Sequence, residues 1–169
     1  MKLSKDELSS GVRLSDENSR RLLTDSKILL ESKSYGHAVA SAVLALEEYA
    51  KKIILDAVKL GLTEMDAELR KILFRDHSSK IWMSLQALAH AKGFETTPEI
   101  LEYLRWATPR LQSLKERGLY ADYIKGGWHS PLDQDMEKIA ASFISETEEI
   151  LQALEKWSED LPKLEAKKL

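Results

Sequence analysis

The chain contains no cysteine. A disulfide framework, a thiolate zinc site and a cysteine nucleophile are therefore excluded. Glycine and proline are sparse, 7 and 4 in 169 residues, which leaves little material for hairpins and favours helices. No stretch approaches the ~18 uninterrupted apolar residues of a membrane-spanning helix. The first 16 residues mix Lys, Asp, Glu, Ser and Arg around no apolar core, unlike a signal peptide. These absences lead to the expectation of a cytoplasmic protein with no membrane partner. A Gly-rich phosphate loop, a nucleophile elbow, HExxH and an EF-hand loop are all missing. The four histidines, His37, His77, His90 and His129, never pair at the i,i+3 or i,i+4 spacing of a helical metal site. Glu-x-x-His pairs of the di-iron type are also missing. Neither a metal nor another cofactor is expected.

What is present reads as a globule. Apolar residues make up 43% and charged residues 31%, an ordinary soluble composition. A chain of this length forms one domain and buries about 70% of its unfolded surface, enough for a core without staples. The expected organisation is a polar lead-in over 1–14, a single helical-bundle domain over 15–162 and a charged tail over 163–169.

Within that domain the patterning predicts an all-α, antiparallel bundle of about five helices. Ser15 is a candidate N-cap for a first helix running to about Ser34. In the second, Val39, Val43, Leu46, Ala50, Ile53, Ala57 and Leu60 recur at alternating steps of 4 and 3, one face held for six turns. Ala38, Ala42 and Ala45 beside that face let a neighbour approach closely, and Gly61 reads as the stop. Thr63 is a candidate cap for a short segment carrying Leu69, Ile72 and Leu73. A third long helix follows or continues through Ile81, Leu85 and Leu88 to Gly93. Thr97-Pro98 starts a fourth, expected to kink or break at Pro109 and to end near Lys125 before Gly126-Gly127. Ser130-Pro131 starts the last, closed by Pro162. No strand is expected. Short connections make sequential helices antiparallel.

Charge is uneven. The net charge of −3 argues against a uniformly nucleic-acid-binding surface but not against a local basic patch. Residues 70–80 hold four basic groups (Arg70, Lys71, Arg75, Lys80) against Asp76. Residues 101–125 hold five basic groups against three acids, whereas 132–169 hold ten acids against five lysines. Either an anionic ligand or the acidic last helix would answer the basic middle. Trp82, Trp106, Trp128 and Trp157 read as core or interface anchors. His37, His90 and His129 have no supporting neighbours and read as structural.

Three segments stand out. Ala-Leu-Glu47-Glu48-Tyr-Ala-Lys51-Lys52 offers i,i+4 pairs, Glu47–Lys51 and Glu48–Lys52, which on their own are exposed helix salt bridges. Phe74-Arg-Asp-His77-Ser-Ser-Lys80 sets His77 beside Lys80. Lys115-Glu-Arg117-Gly-Leu-Tyr120-Ala-Asp122-Tyr123 gathers ionisable and aromatic groups at a helix end. In this order the three resemble the successive signatures of AbiV-type abortive-infection proteins, a branch of the HEPN superfamily of small helical domains. They span residues 45–123.

The resemblance implies a four- to five-helix bundle, usually a homodimer, in a system that arrests a phage-infected cell. The matching positions are Glu47, Glu48, Lys51, His77, Lys80, Lys115, Tyr120 and Asp122. Many HEPN domains are metal-independent ribonucleases with an Arg-x(4–6)-His motif, in which Arg steadies the scissile phosphate and His moves protons. Imidazole suits that task because its ordinary pKa lies near neutrality. Arg70 and His77 have the spacing. So does Arg117 with Asp122, where Asp stands in the place of His and, being ionised at neutral pH, is a poor general acid.

Three functions follow. The first is an RNA-directed effector with His77, Lys80 and Arg117 as the catalytic set, Lys115 also holding phosphate. Glu47, Glu48, Lys51, Tyr120 and Asp122 complete its binding or supporting polar network. The second is a non-catalytic dimeric module that docks a phage or host protein. The third is a nucleotide-binding bundle.

Overall fold

The computed structural model describes residues 3–124, 126–130 and 134–159. Among them are six helices: α1 (Lys5–Glu31), α2 (Tyr35–Lys59), α3 (Ala67–Arg75), α4 (His77–Ala91), α5 (Pro98–Leu119) and α6 (Gln134–Ser158). A small antiparallel hairpin, β1 (Asp122–Ile124) and β2 (Gly127–His129), lies between α5 and α6. The fold is all-α, as expected, with one helix more than about five and a hairpin that patterning did not announce. No described helix is long and apolar enough to cross a membrane.

α2 is the axis of the bundle and packs against α1, α4, α5 and α6. Its alanines make this possible. Ala38, Ala40, Ala42, Ala45 and Ala50 are buried beside Val39, Val43 and Leu46, so neighbours approach on several sides rather than on one stripe. α1 meets it antiparallel, Leu8 clustering with Ile54 and Leu55 at one end while Leu29 and Leu30 pack with Ala38 at the other. The face that α1 turns inward is largely serine: Ser15, Ser19 and Ser26 are buried. Small side chains there let the two backbones come close, and Ser19 Oγ donates to the Ala45 carbonyl at 2.8 Å, so its hydroxyl is satisfied.

α1 begins well before Ser15. Ser4 is its N-cap, in a reciprocal capping box with Glu7, and Leu8 is buried one turn on. The expected polar lead-in is thus helical from Lys5, because a capping box and one anchoring leucine outweigh the polar composition. Thr63 is not the cap of α3; Asp66 is, accepting the Leu69 N–H at 2.7 Å. Asp76 both ends α3 and caps α4, so the third long helix follows the short segment rather than continuing it. Gly61 and Gly93, at φ 74° and 77°, take the left-handed positions after α2 and α4. Thr97 and Pro98 open α5 as read. α5 passes through Pro109 without a break and stops at Leu119, short of the expected 125. The Ser130-Pro131 start and the Pro162 stop fall on or beside residues 131–133 and 160–169, outside the described residues.

Trp82 packs at the edge of the core near Ile81 and Trp157 near Leu154. Trp106 is 53% exposed and is no core anchor; it stacks with Tyr103 and carries the Arg110 guanidinium on its face. The side chain of Trp128 lies outside the described residues.

α5 reaches α2 closely at Gly118. A Cβ built there would lie 2.3 Å from the Gly36 carbonyl oxygen, a backbone atom that cannot swing aside. Gly118→Ala should therefore separate the two helices and cost about 1–3 kcal/mol. For a chain of this size, a melting temperature lowered by roughly 2–12 °C would follow, and an unchanged value would refute the close approach.

Candidate active site

Glu47 sits midway along α2 and points inward, with 1% of its surface exposed. A buried carboxylate must be paired, and the neighbouring helices supply the partners. From α5, Lys115 Nζ donates to Oε1 at 2.7 Å. From α4, Lys80 Nζ lies 3.5 Å from Oε2, and His77 Nδ1 is hydrogen-bonded to the same oxygen. Lys80 and Lys115 are buried, at 4% and 5% exposure, so their ammonium groups are committed to the interior. His77 differs: 49% of its side chain is exposed. The cluster is thus a sealed ionic centre with one imidazole projecting to solvent.

Local structure fixes each member. Asp76 accepts the Ser79 N–H at 2.9 Å and the Ser79 hydroxyl at 2.7 Å, which starts α4 with His77 as its first residue. Lys80 follows one turn later on the same face. Ser84, one turn further, is buried and donates to the Leu46 carbonyl at 2.8 Å, tying α4 to α2 beside Glu47. On α5, Lys115 and Gly118 are three residues apart and share the face against α2, so the close approach at Gly118 brings Lys115 to Glu47. The Asp76 carboxyl is held below its usual range, first by the Ser79 backbone N–H, then by the Ser79 hydroxyl, with burial opposing and Lys71 assisting.

The other expected site residues are placed elsewhere. Glu48 binds Lys51 in an i,i+3 pair at the α1 side of α2, and Lys52 pairs with Asp56. The expected Glu47–Lys51 and Glu48–Lys52 pairs are replaced because Glu47 is drawn inward. Arg117 is two residues from Lys115, which turns it to a different side of α5, and it makes no ion pair among the described residues. Tyr120 is 64% exposed at the end of α5. Asp122 lies in β1 opposite His129, and its side chain is outside the described residues. Arg70 is on α3, in a shallow basic surface with Lys71 and Arg75. Of the nine candidates, the structure gathers Glu47, His77, Lys80 and Lys115.

The geometry defines what the cluster can do. With Nδ1–H donated to Glu47, a neutral His77 carries its lone pair on Nε2, the arrangement of a general base. Two ammonium groups against one carboxylate leave one positive charge behind the imidazole, which favours an anion in front of it. Asp76, Ser79 and Ser84 were not foreseen as parts of the site; the Asp-x-x-Ser spacing ahead of an apolar run is the signal that would have found the first two.

The family model for AbiV, HEPN_AbiV, matches residues 7–152. The chain belongs to the AbiV family of HEPN proteins. The match takes in every residue of the Glu47 cluster and α1 from Glu7 onward, including much of the stretch expected as a polar lead-in. No curated protein and no solved structure matches.

Removing the central carboxylate should leave two buried ammonium groups uncompensated. Glu47→Ala should cost about 3–5 kcal/mol. His77→Ala, at a half-exposed position, should cost less than ~1 kcal/mol in the same urea titration. Equal effects would contradict the asymmetry of the cluster. The cap is also checkable by pH. A carboxyl whose folded pKa is depressed stabilises above its unfolded value of about 3.9 and loses that contribution as pH falls through the folded value. Asp76→Ala should thus cost about 1 kcal/mol at pH 7, with the gap to wild type closing in acid below about pH 3.9.

Proposed function

We propose that this AbiV-family HEPN protein arrests phage-infected cells by cutting RNA without a metal ion, with His77 as its proton-transfer group. The observation that carries this reading is the half-exposed imidazole whose Nδ1 is held by a carboxylate that two buried lysines also hold. His77 Nε2 takes the proton of a ribose 2′-OH. O2′ attacks the adjacent phosphorus and the P–O5′ bond breaks. The leaving O5′ takes a proton, and the products are a 2′,3′-cyclic phosphate and a 5′-OH end.

In this reading Lys80 and Lys115 do not grip phosphate directly, since both are sealed behind His77. They fix Glu47 and lend the imidazole a positive background. Arg117 and Tyr120 are free to meet substrate from another side of α5. A homodimer would set two imidazoles at one cleft, one as base and one as acid, so that a single His per chain suffices.

A second reading is favoured by the depth of the cluster. Glu47, Lys80 and Lys115 join three helices, and a network of that kind also specifies packing. The chain would then be a dimeric module that docks a phage or host protein.

The two readings part at His77→Ala. The first predicts a folded protein whose RNA cleavage falls by at least 100-fold and whose toxicity in cells is lost. Unchanged cleavage, or toxicity undiminished by the substitution, would reject it in favour of the second.

A further inference from the structure

Two of the signature residues, Glu48 and Lys51, are not part of the Glu47 cluster. They line a cavity of about 520 Å³ between α1, α2 and α3. Leu14, Leu55 and Phe74 give it apolar walls, and the Glu48–Lys51 pair is the polar feature it presents from α2. A planar aromatic ring would be sandwiched by such walls. A carboxylate beside an ammonium would meet the donors and acceptors on its edge.

α3 adds the second observation. Its inner face, with Leu73 fully buried, packs on the core. Its outer stripe is Ala67, Arg70, Lys71, Phe74 and Arg75, at i, i+3, i+4, i+7 and i+8. Phe74 is 61% exposed and shares the cavity with Leu14, itself 55% exposed, so the opening carries exposed apolar surface. Phe74 borders both the cavity and the basic stripe. Asp66 caps α3 and Asp76 caps α4, and neither they nor Glu68 forms an ion pair with Lys71 or Arg75 among the described residues. Phe74 stands three residues before His77, so their Cα atoms are at most about 11 Å apart. One short segment of nucleic acid can reach both.

We infer that the α1–α2–α3 cavity is a nucleobase slot, and that the outer stripe of α3 tracks the phosphates of the same single strand as it passes to His77. Phe74 stacks the base, Glu48 and Lys51 meet its polar edge, and Lys71 and Arg75 neutralise the backbone. The inference rests on the RNA reading of the His77 site and adds where the strand is held.

Binding is measured by fluorescence anisotropy of a labelled single-stranded RNA and of labelled inorganic polyphosphate, on folded variants checked by circular dichroism. Phe74→Ala should weaken RNA binding about tenfold and leave polyphosphate binding unchanged. Lys71→Gln with Arg75→Gln should weaken both, and lower the slope of log affinity against log salt by about 1.4. If wild type binds RNA and these α3 variants bind it equally well, the slot is wrong while the His77 reading stands. If RNA binding depends on α3 but wild type leaves the RNA uncut, the slot stands and the cleavage reading falls. If no RNA binds and Phe74→Ala instead turns a dimer into a monomer in sedimentation, α3 is a protein interface and the inference is overturned.

Discussion

One carboxylate, Glu47, holds the centre of this bundle together. It is buried on the helix that every other long helix touches, and an unpaired charge there would cost several kcal/mol. The partners that satisfy it come from two other helices: His77 and Lys80 from α4, Lys115 from α5. Folding cannot bury Glu47 without bringing those residues together. The ionic centre and the packing of α2, α4 and α5 are therefore one event. Gly118, Ser84 and Asp76 are the local devices that allow it, a close approach, a carbonyl anchor and a helix start.

The same constraint explains the division of labour in the cluster. Charges that are sealed in hold position, and the one ionisable group left at the surface is free to act. A neutral imidazole with Nδ1 committed inward offers Nε2 outward. The remaining positive charge of the centre lies behind it, an electrostatic background that favours an anion in front of the imidazole. The AbiV family match takes in this centre, and the half-exposed imidazole is the group on which the proposed metal-free cleavage rests.

Much of this was legible in residues. The 4-3-4-3 spacing of α2, the Thr97-Pro98 start and the glycine stops at 61 and 93 are local signals, and each was read from neighbours in sequence. The three signature segments named Glu47, His77, Lys80 and Lys115 before any geometry was known. The direction of Glu47 was not legible. Glu47 and Glu48 are adjacent, both have a lysine at i+4, and only packing distinguishes the one that turns inward. Arg117 shows the same limit: next but one to Lys115 in sequence, it lies on another side of the helix. The start of α1 is hidden for a different reason: the capping box of Ser4 and Glu7 and the single buried Leu8 lie in a stretch whose overall composition is polar.

The central claim is that Glu47 fixes the tautomer of His77 from inside. It is tested most directly by nitrogen NMR of the His77 imidazole in the neutral form. The account predicts a proton on Nδ1 and a bare Nε2, with that preference lost in Glu47→Gln. A proton found mainly on Nε2 in the wild-type protein, as in free imidazole side chains, would contradict it.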